Sequence, residues 1–93
     1  MKRVVVTGMG VVTALGDNWP EFVAKLQSGT SAIRRLDDWA TYKDLNTNLA
    51  GPIENFEVPA HYPRKKIRAM GRVALLSTRA TELALIDAGL LDD

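Results

Sequence analysis

The chain has 93 residues, 46% of them apolar and 25% charged, an ordinary globular composition that argues against disorder along its whole length. That length allows one domain at most, and a domain of this size buries only roughly 60–65% of its unfolded surface, so its stability is marginal. The net charge of +1 selects no partner, while the absence of cysteine excludes a disulfide framework, a thiolate metal site and a cysteine nucleophile within the chain.

No stretch approaches the ~20 apolar residues of a membrane span, so no membrane partner is expected. Two basic residues, Lys2 and Arg3, precede an apolar run in the manner of a secretory signal. Thr7, Gly8 and Gly10 interrupt that run and Asp17 soon follows, whereas a secretory apolar region is more uniform. A cytoplasmic location is expected, and the missing cysteines fit a reducing compartment.

Val4-Val5-Val6-Thr7 is a β-branched run of the kind found in strands buried on both faces. Gly8 and Gly10 follow, where the backbone needs conformational freedom or close approach. A short helix is predicted over about Trp19–Ser28, capped by Asp17 or Asn18, with Pro20 in its first turn and Gly29 as its stop. Phe22, Val23 and Leu26 give it an apolar stripe.

Thr30–Tyr62 reads as irregular, with turn material at Asp37-Asp38-Trp39, Asn46-Thr47-Asn48 and Gly51-Pro52. Leu49–Ile53 reads as a short strand that Pro52 confines to an edge or an end. Pro63 opens a basic segment, Arg64-Lys65-Lys66-Ile67-Arg68-Ala69-Met70, which Gly71 breaks or bends. The longest helix is predicted over about Arg72–Ala88. It is apolar around so much of its circumference that it should be buried, with Gly89 and Leu90 closing it.

The order is therefore strand, helix, irregular region, helix, and in an α/β protein another parallel strand would come next. Only the weak Leu49–Ile53 strand could partner Val4–Thr7. On this reading residues 1–93 form a single incomplete domain, part of a larger unit.

Gly8-Met9-Gly10 after a strand invites a dinucleotide-binding reading. The fingerprint's third glycine is replaced by Thr13, and the following helix starts too late, so tight packing at a strand end is the better reading. His61, the only histidine, has no cysteine or carboxylate cluster near it in the sequence and is assigned no catalytic role. Between Val58 and Thr81 lie Arg64, Lys65, Lys66, Arg68, Arg72 and Arg79, with no Asp or Glu among them. On one continuous helix Arg64, Arg68 and Arg72 would share a face, with Lys65 beside it. A solvated face usually mixes signs, and a single-sign patch points to an anionic partner. Nucleic acid would match the charge, but no aromatic residue is interleaved with it as stacking would need, and an acidic protein helix fits equally well; no nucleic-acid partner is assigned.

Several segments together resemble the type II β-ketoacyl-acyl-carrier-protein synthases. They are Arg3–Thr13 followed by Gly16, Ser28–Ile33, Ala50–Phe56, Arg68-Ala69-Met70, and Ala84–Leu90, in the family's order over nearly the whole chain. Ala14 stands where the family often has proline, and Gly71 where it often has an acidic residue.

The resemblance implies an α/β architecture, the amino-terminal part of a thiolase-like layered fold with one buried-type strand, two main helices and an irregular middle segment. It implies decarboxylative condensation of acyl groups with malonyl-acyl-carrier protein, in fatty acid or polyketide-type synthesis. A cysteine takes the acyl group there and two histidines stabilise oxyanions. All three lie beyond the matched stretch, so this chain alone is expected to be inactive, with no cofactor and no metal. The resemblance also implies that Arg64, Lys65, Lys66 and Arg68 dock an acidic acyl carrier protein, although Ala69 replaces a frequently basic residue. The alternative is a non-catalytic basic module that binds acyl carrier protein or another polyanion. Self-association of the isolated chain is expected, because its strand and long helix both need neighbours.

Overall fold

A computed structural model describes residues 2–92; Met1 and Asp93, the two ends of the expected domain, lie outside the described residues. In chain order the elements are helix α1 (Trp19–Gln27), strand β1 (Arg34–Arg35), a 3₁₀ helix (Asp37–Thr41), strand β2 (Leu49–Ala50), helix α2 (Arg64–Ile67) and helix α3 (Arg72–Asp87). Helices and a small antiparallel sheet make this an α/β chain.

Both main helices form where their caps predict. Asn18 sits in extended conformation before α1, and its side-chain oxygen accepts the Glu21 N–H at 2.9 Å. Glu21 also pairs with Lys25 one turn on, at 2.9 Å. That hydrogen bond and the lysine charge, with a further hydrogen bond from Asn18, hold the Glu21 carboxyl below the usual carboxylate range. The C-termini of α1 and α3 close alike. The Gly29 N–H reaches Leu26 O at 3.2 Å and the Thr30 N–H reaches Lys25 O at 3.0 Å. At α3 the Gly89 N–H reaches Ile86 O at 3.0 Å and the Leu90 N–H reaches Leu85 O at 2.9 Å. This paired closure needs a left-handed residue, which glycine supplies at φ 75° in Gly29 and 76° in Gly89.

The amino-terminal segment lies against α3. A Cβ on Gly8 would stand 2.6 Å from Ala88 N and also collide with Ala84 O. One on Gly10 would stand 2.7 Å from Ala84 N and 2.8 Å from Leu83 Cβ, and collide with Ala80 O. Two residues along the segment thus correspond to four along the helix, running the opposite way. An extended chain advances ~6.6 Å over two residues and a helix ~6 Å over four, so the two rows stay in step. The Met9 N–H donates to Asp87 Oδ2 at 3.0 Å and pins the contact. The tight-packing reading of Gly8 and Gly10 therefore holds. Their faces are filled by helix backbone and the amide between them is occupied, which leaves no open cradle for a phosphate.

Three expectations are corrected. Val4–Thr7 is not hydrogen-bonded into a strand among the described residues, and Val4 is 93% exposed. A strand of this composition gains from neighbours on both edges, and no described segment pairs with it. The Leu49–Ile53 strand forms only over Leu49–Ala50, and its partner is Arg34–Arg35, with Arg34 opposite Ala50 and Arg35 opposite Leu49. The Leu36 N–H to Asn48 O bond at 2.7 Å extends that pairing. Finally, α3 holds no buried residue, and Val73 is 80% exposed. The Gly8–Gly10 segment covers part of the helix, but Val73, Ala74 and Leu85 stay exposed and its other apolar residues are only half-buried.

No described residue is fully buried. The radius of gyration is 16.5 Å, against about 12 Å for a compact domain of this length. The fold is thus an open assembly of capped helices around one close backbone contact. Among the described residues no helix is long and apolar enough to cross a membrane.

The close contact sets a test. Gly10→Ala should lower stability by about 1–3 kcal/mol, because a Cβ there forces the segment off α3. The check is the midpoint of urea unfolding followed by circular dichroism; an unchanged midpoint would show that α3 yields without cost.

Candidate functional site

The basic segment folds as a short helix between two tethers. Tyr62 N–H bonds to Pro59 O at 3.1 Å, which turns the chain into Pro63. Pro63 then caps α2 in extended conformation without a side-chain hydrogen bond. The Lys66 and Ile67 amides both return to Pro63 O, at 2.9 and 3.1 Å, and the Arg68 N–H reaches Arg64 O at 3.1 Å. Ile67 and Met70 are half-buried, while Arg64, Lys65, Lys66 and Arg68 are all exposed. None of these four makes an ion pair among the described residues.

The structure does not put Arg64, Arg68 and Arg72 on one helix face. Arg68 already caps α2, and Gly71, extended at φ −75° and ψ 177°, separates it from α3. Glycine resists helix propagation, so the basic run breaks there. Arg72 instead donates to the Ile53 carbonyl, and Arg79 pairs with Glu82. The six basic residues of the sequence interval thus divide into two that hold the chain together and four that face solvent.

Glu82 is the hub on the side facing the chain's own loop. Its side chain is only 14% exposed. One carboxylate oxygen accepts the Tyr62 hydroxyl at 3.1 Å and the Arg79 guanidinium, and the other meets His61 Nε2. The His61 and Tyr62 rings meet edge to face, 4.9 Å apart at 89°. Burial pushes the Glu82 carboxyl up, but hydrogen bonds from His61, Arg79 and Tyr62 outweigh it and hold the group below the usual carboxylate range. Burial and the Glu82 hydrogen bond push the Tyr62 hydroxyl up.

Sequence reasoning missed this hub, because His61 and Glu82 are 21 positions apart. The i,i+3 pair Arg79–Glu82 was the one local sign of it. The hub resembles a structural latch more than a reactive centre, since both carboxylate oxygens of Glu82 are already engaged, although a shallow cleft that Tyr62 and Glu82 help to line opens beside it. Among the described residues no group of histidine and carboxylate side chains could hold a metal ion.

The latch carries a pH signature. A carboxyl whose pKa is lowered by folding contributes stability in full above its unfolded value of about 4.3, and loses it as pH falls through the lower folded value. Glu82→Gln should cost about 1 kcal/mol at neutral pH. The gap between wild type and variant should close below about pH 4. Urea unfolding across pH 3–7 checks this; a gap independent of pH would mean that the charge on Glu82 contributes nothing.

Comparison with known proteins places this geometry. The family "Beta-ketoacyl synthase, N-terminal domain" matches residues 1–93. The chain is 32% identical over 93 residues to 3-oxoacyl-[acyl-carrier-protein] synthase 1 of Haemophilus influenzae, covering 100% of this chain and 22% of that protein. It is 34% identical over 92 residues to the chloroplastic 3-oxoacyl-[acyl-carrier-protein] synthase II of Arabidopsis thaliana, covering 99% of this chain and 17% of that protein. A crystal structure of a beta-ketoacyl synthase from Burkholderia phymatum STM815 superposes with a TM-score of 0.88 at 55% identity, over 100% of this chain and 23% of that one. The chain thus spans 22% or less of the length of these curated relatives. With its whole described length matched in sequence and in structure, the chain belongs to the β-ketoacyl synthase family, in its amino-terminal domain.

Proposed function

We propose that this chain is the amino-terminal portion of a 3-oxoacyl-[acyl-carrier-protein] synthase, a single incomplete domain of a thiolase-like layered α/β fold. The complete enzyme would condense an acyl group with malonyl-acyl-carrier protein by decarboxylation. Family membership over the whole chain supports this reading. So does the lack of cysteine, which leaves the acyl-accepting nucleophile to be supplied from outside this segment. Alone, the chain would self-associate, since its Val4–Thr7 run and the open side of α3 expose apolar surface that soluble monomers avoid.

The work proposed for this segment is docking. The observation that carries it is the row Arg64, Lys65, Lys66 and Arg68, exposed on a short helix and free of acidic partners among the described residues. Lacking internal partners, the four charges sum into a positive field that draws an acidic protein surface toward the enzyme. Such a field acts over about 8 Å at physiological salt, so it steers approach and register more than it strengthens the final complex. An acidic acyl carrier protein fits it better than a nucleic acid does, because no aromatic side chain stands among the charges. The alternative, a free-standing polyanion-binding module, uses the same residues but leaves the family match unexplained.

The test uses a complete synthase carrying this segment. Lys65→Glu combined with Arg68→Glu should weaken the apparent affinity for acyl-carrier-protein substrate at least about tenfold, or ~1.4 kcal/mol. Turnover of a small thioester mimic that bypasses docking should survive. The effect should shrink between low and high salt. Equal affinities of wild type and variant at low salt would reduce the row to a solvated face.

A further inference from the structure

We infer that Glu82 is the positioning residue of the docking segment: from α3 it fixes His61 and Tyr62, and through them it holds Arg64, Lys65, Lys66 and Arg68 in one arrangement that an acidic carrier protein can meet. The inference rests on the docking reading above and names what keeps that site in shape.

Helix α2 cannot hold itself. It has four residues and no side-chain cap, where isolated helices shorter than about 12 residues are already marginal in water. Its first turn carries no acid, and its cations crowd the positive end of the helix dipole. They also repel one another. Left to these forces, the segment would fray and its charges would spread. Its order must come from what flanks it.

The flanks are tied on both sides. Downstream, Arg72 donates to the Ile53 carbonyl, while Ile67 and Met70 are half-buried. Upstream, the two residues immediately before Pro63 both end on Glu82: the Tyr62 hydroxyl at 3.1 Å on one oxygen and His61 Nε2 on the other. Both carboxylate oxygens are thereby used, which fixes the direction of approach and not merely the distance. Arg79 occupies Glu82 from within α3. The anion is therefore already paired, and it holds the loop without drawing the docking cations inward. Pro63 has a fixed φ, so an anchor on Tyr62 is transmitted into the first turn of α2 with little slack.

The experiment compares Glu82→Gln and Tyr62→Phe with wild type in a complete synthase carrying this segment, alongside the Lys65→Glu/Arg68→Glu variant. For carrier-protein-borne substrate, Glu82→Gln should raise KM about threefold to tenfold at unchanged kcat, and Tyr62→Phe should raise it less. Both variants should turn over the small thioester mimic as wild type does. Amide exchange at Lys66, Ile67 and Arg68 should quicken in both, which a loss of stability spread over the whole fold would not confine to that segment. Unchanged KM in both variants, while the charge reversal still raises it, overturns the positioning role alone. An equal loss with the small thioester also overturns it, by showing that Glu82 supports the fold at large. If the charge reversal itself leaves KM unchanged, the docking reading falls and this inference falls with it.

Discussion

Two glycines two positions apart lie against three alanines spaced four apart, and the rest of the structure follows from that meeting. Gly8 and Gly10 bring bare backbone onto the side of α3 at Ala80, Ala84 and Ala88, and Asp87 captures the Met9 amide between them. The contact is close because the segment presents glycine where the helix presents mainly alanine and bare backbone. For the same reason it removes little apolar surface from water, and burial at roughly 25 cal/mol per Å² is the main source of folding energy. A junction of this kind sets direction and register. It cannot replace a core, which is why the described residues include no buried side chain.

What the junction fixes, the helix caps extend. Its capping asparagine and closing glycine define α1, and α3 closes by the same paired bonds. Between them the chain makes its irregular excursion and returns to α3 through His61 and Tyr62 on Glu82. Helix α3 thus meets the amino-terminal segment through its small residues and the returning loop through one carboxylate. The cations of α2 are left outside both contacts. In this arrangement the polar residues that hold the chain together and those that face solvent are separate sets, although they are mixed in the sequence.

The sequence made local features legible and non-local ones not. Asn18, Gly29 and Gly89 act through bonds to residues a few positions away, so the two long helices could be placed almost to the residue. The small residues at Gly8 and Gly10 signalled close packing, but their partner, some 70 to 80 positions on, could not be read. Val4–Thr7 has strand composition, yet strand formation depends on a neighbouring edge that no residue pattern supplies. The spacing of Arg64, Arg68 and Arg72 suggested one face, but one glycine at position 71 divided it. The role of Glu82 was hidden by distance along the chain, while the exposed row from Arg64 to Arg68 was visible because an acid-free interval needs no contact map.

The central claim is that this segment is organised by backbone contact and caps but finished by neighbours. Light scattering combined with amide exchange on the isolated 93-residue chain tests it most directly. The account predicts a mass above that of a monomer at micromolar concentration, with Val4–Thr7 amides protected only in the associated form. A clean monomer mass with those same amides protected would contradict it, because the chain would then be supplying its own missing edge.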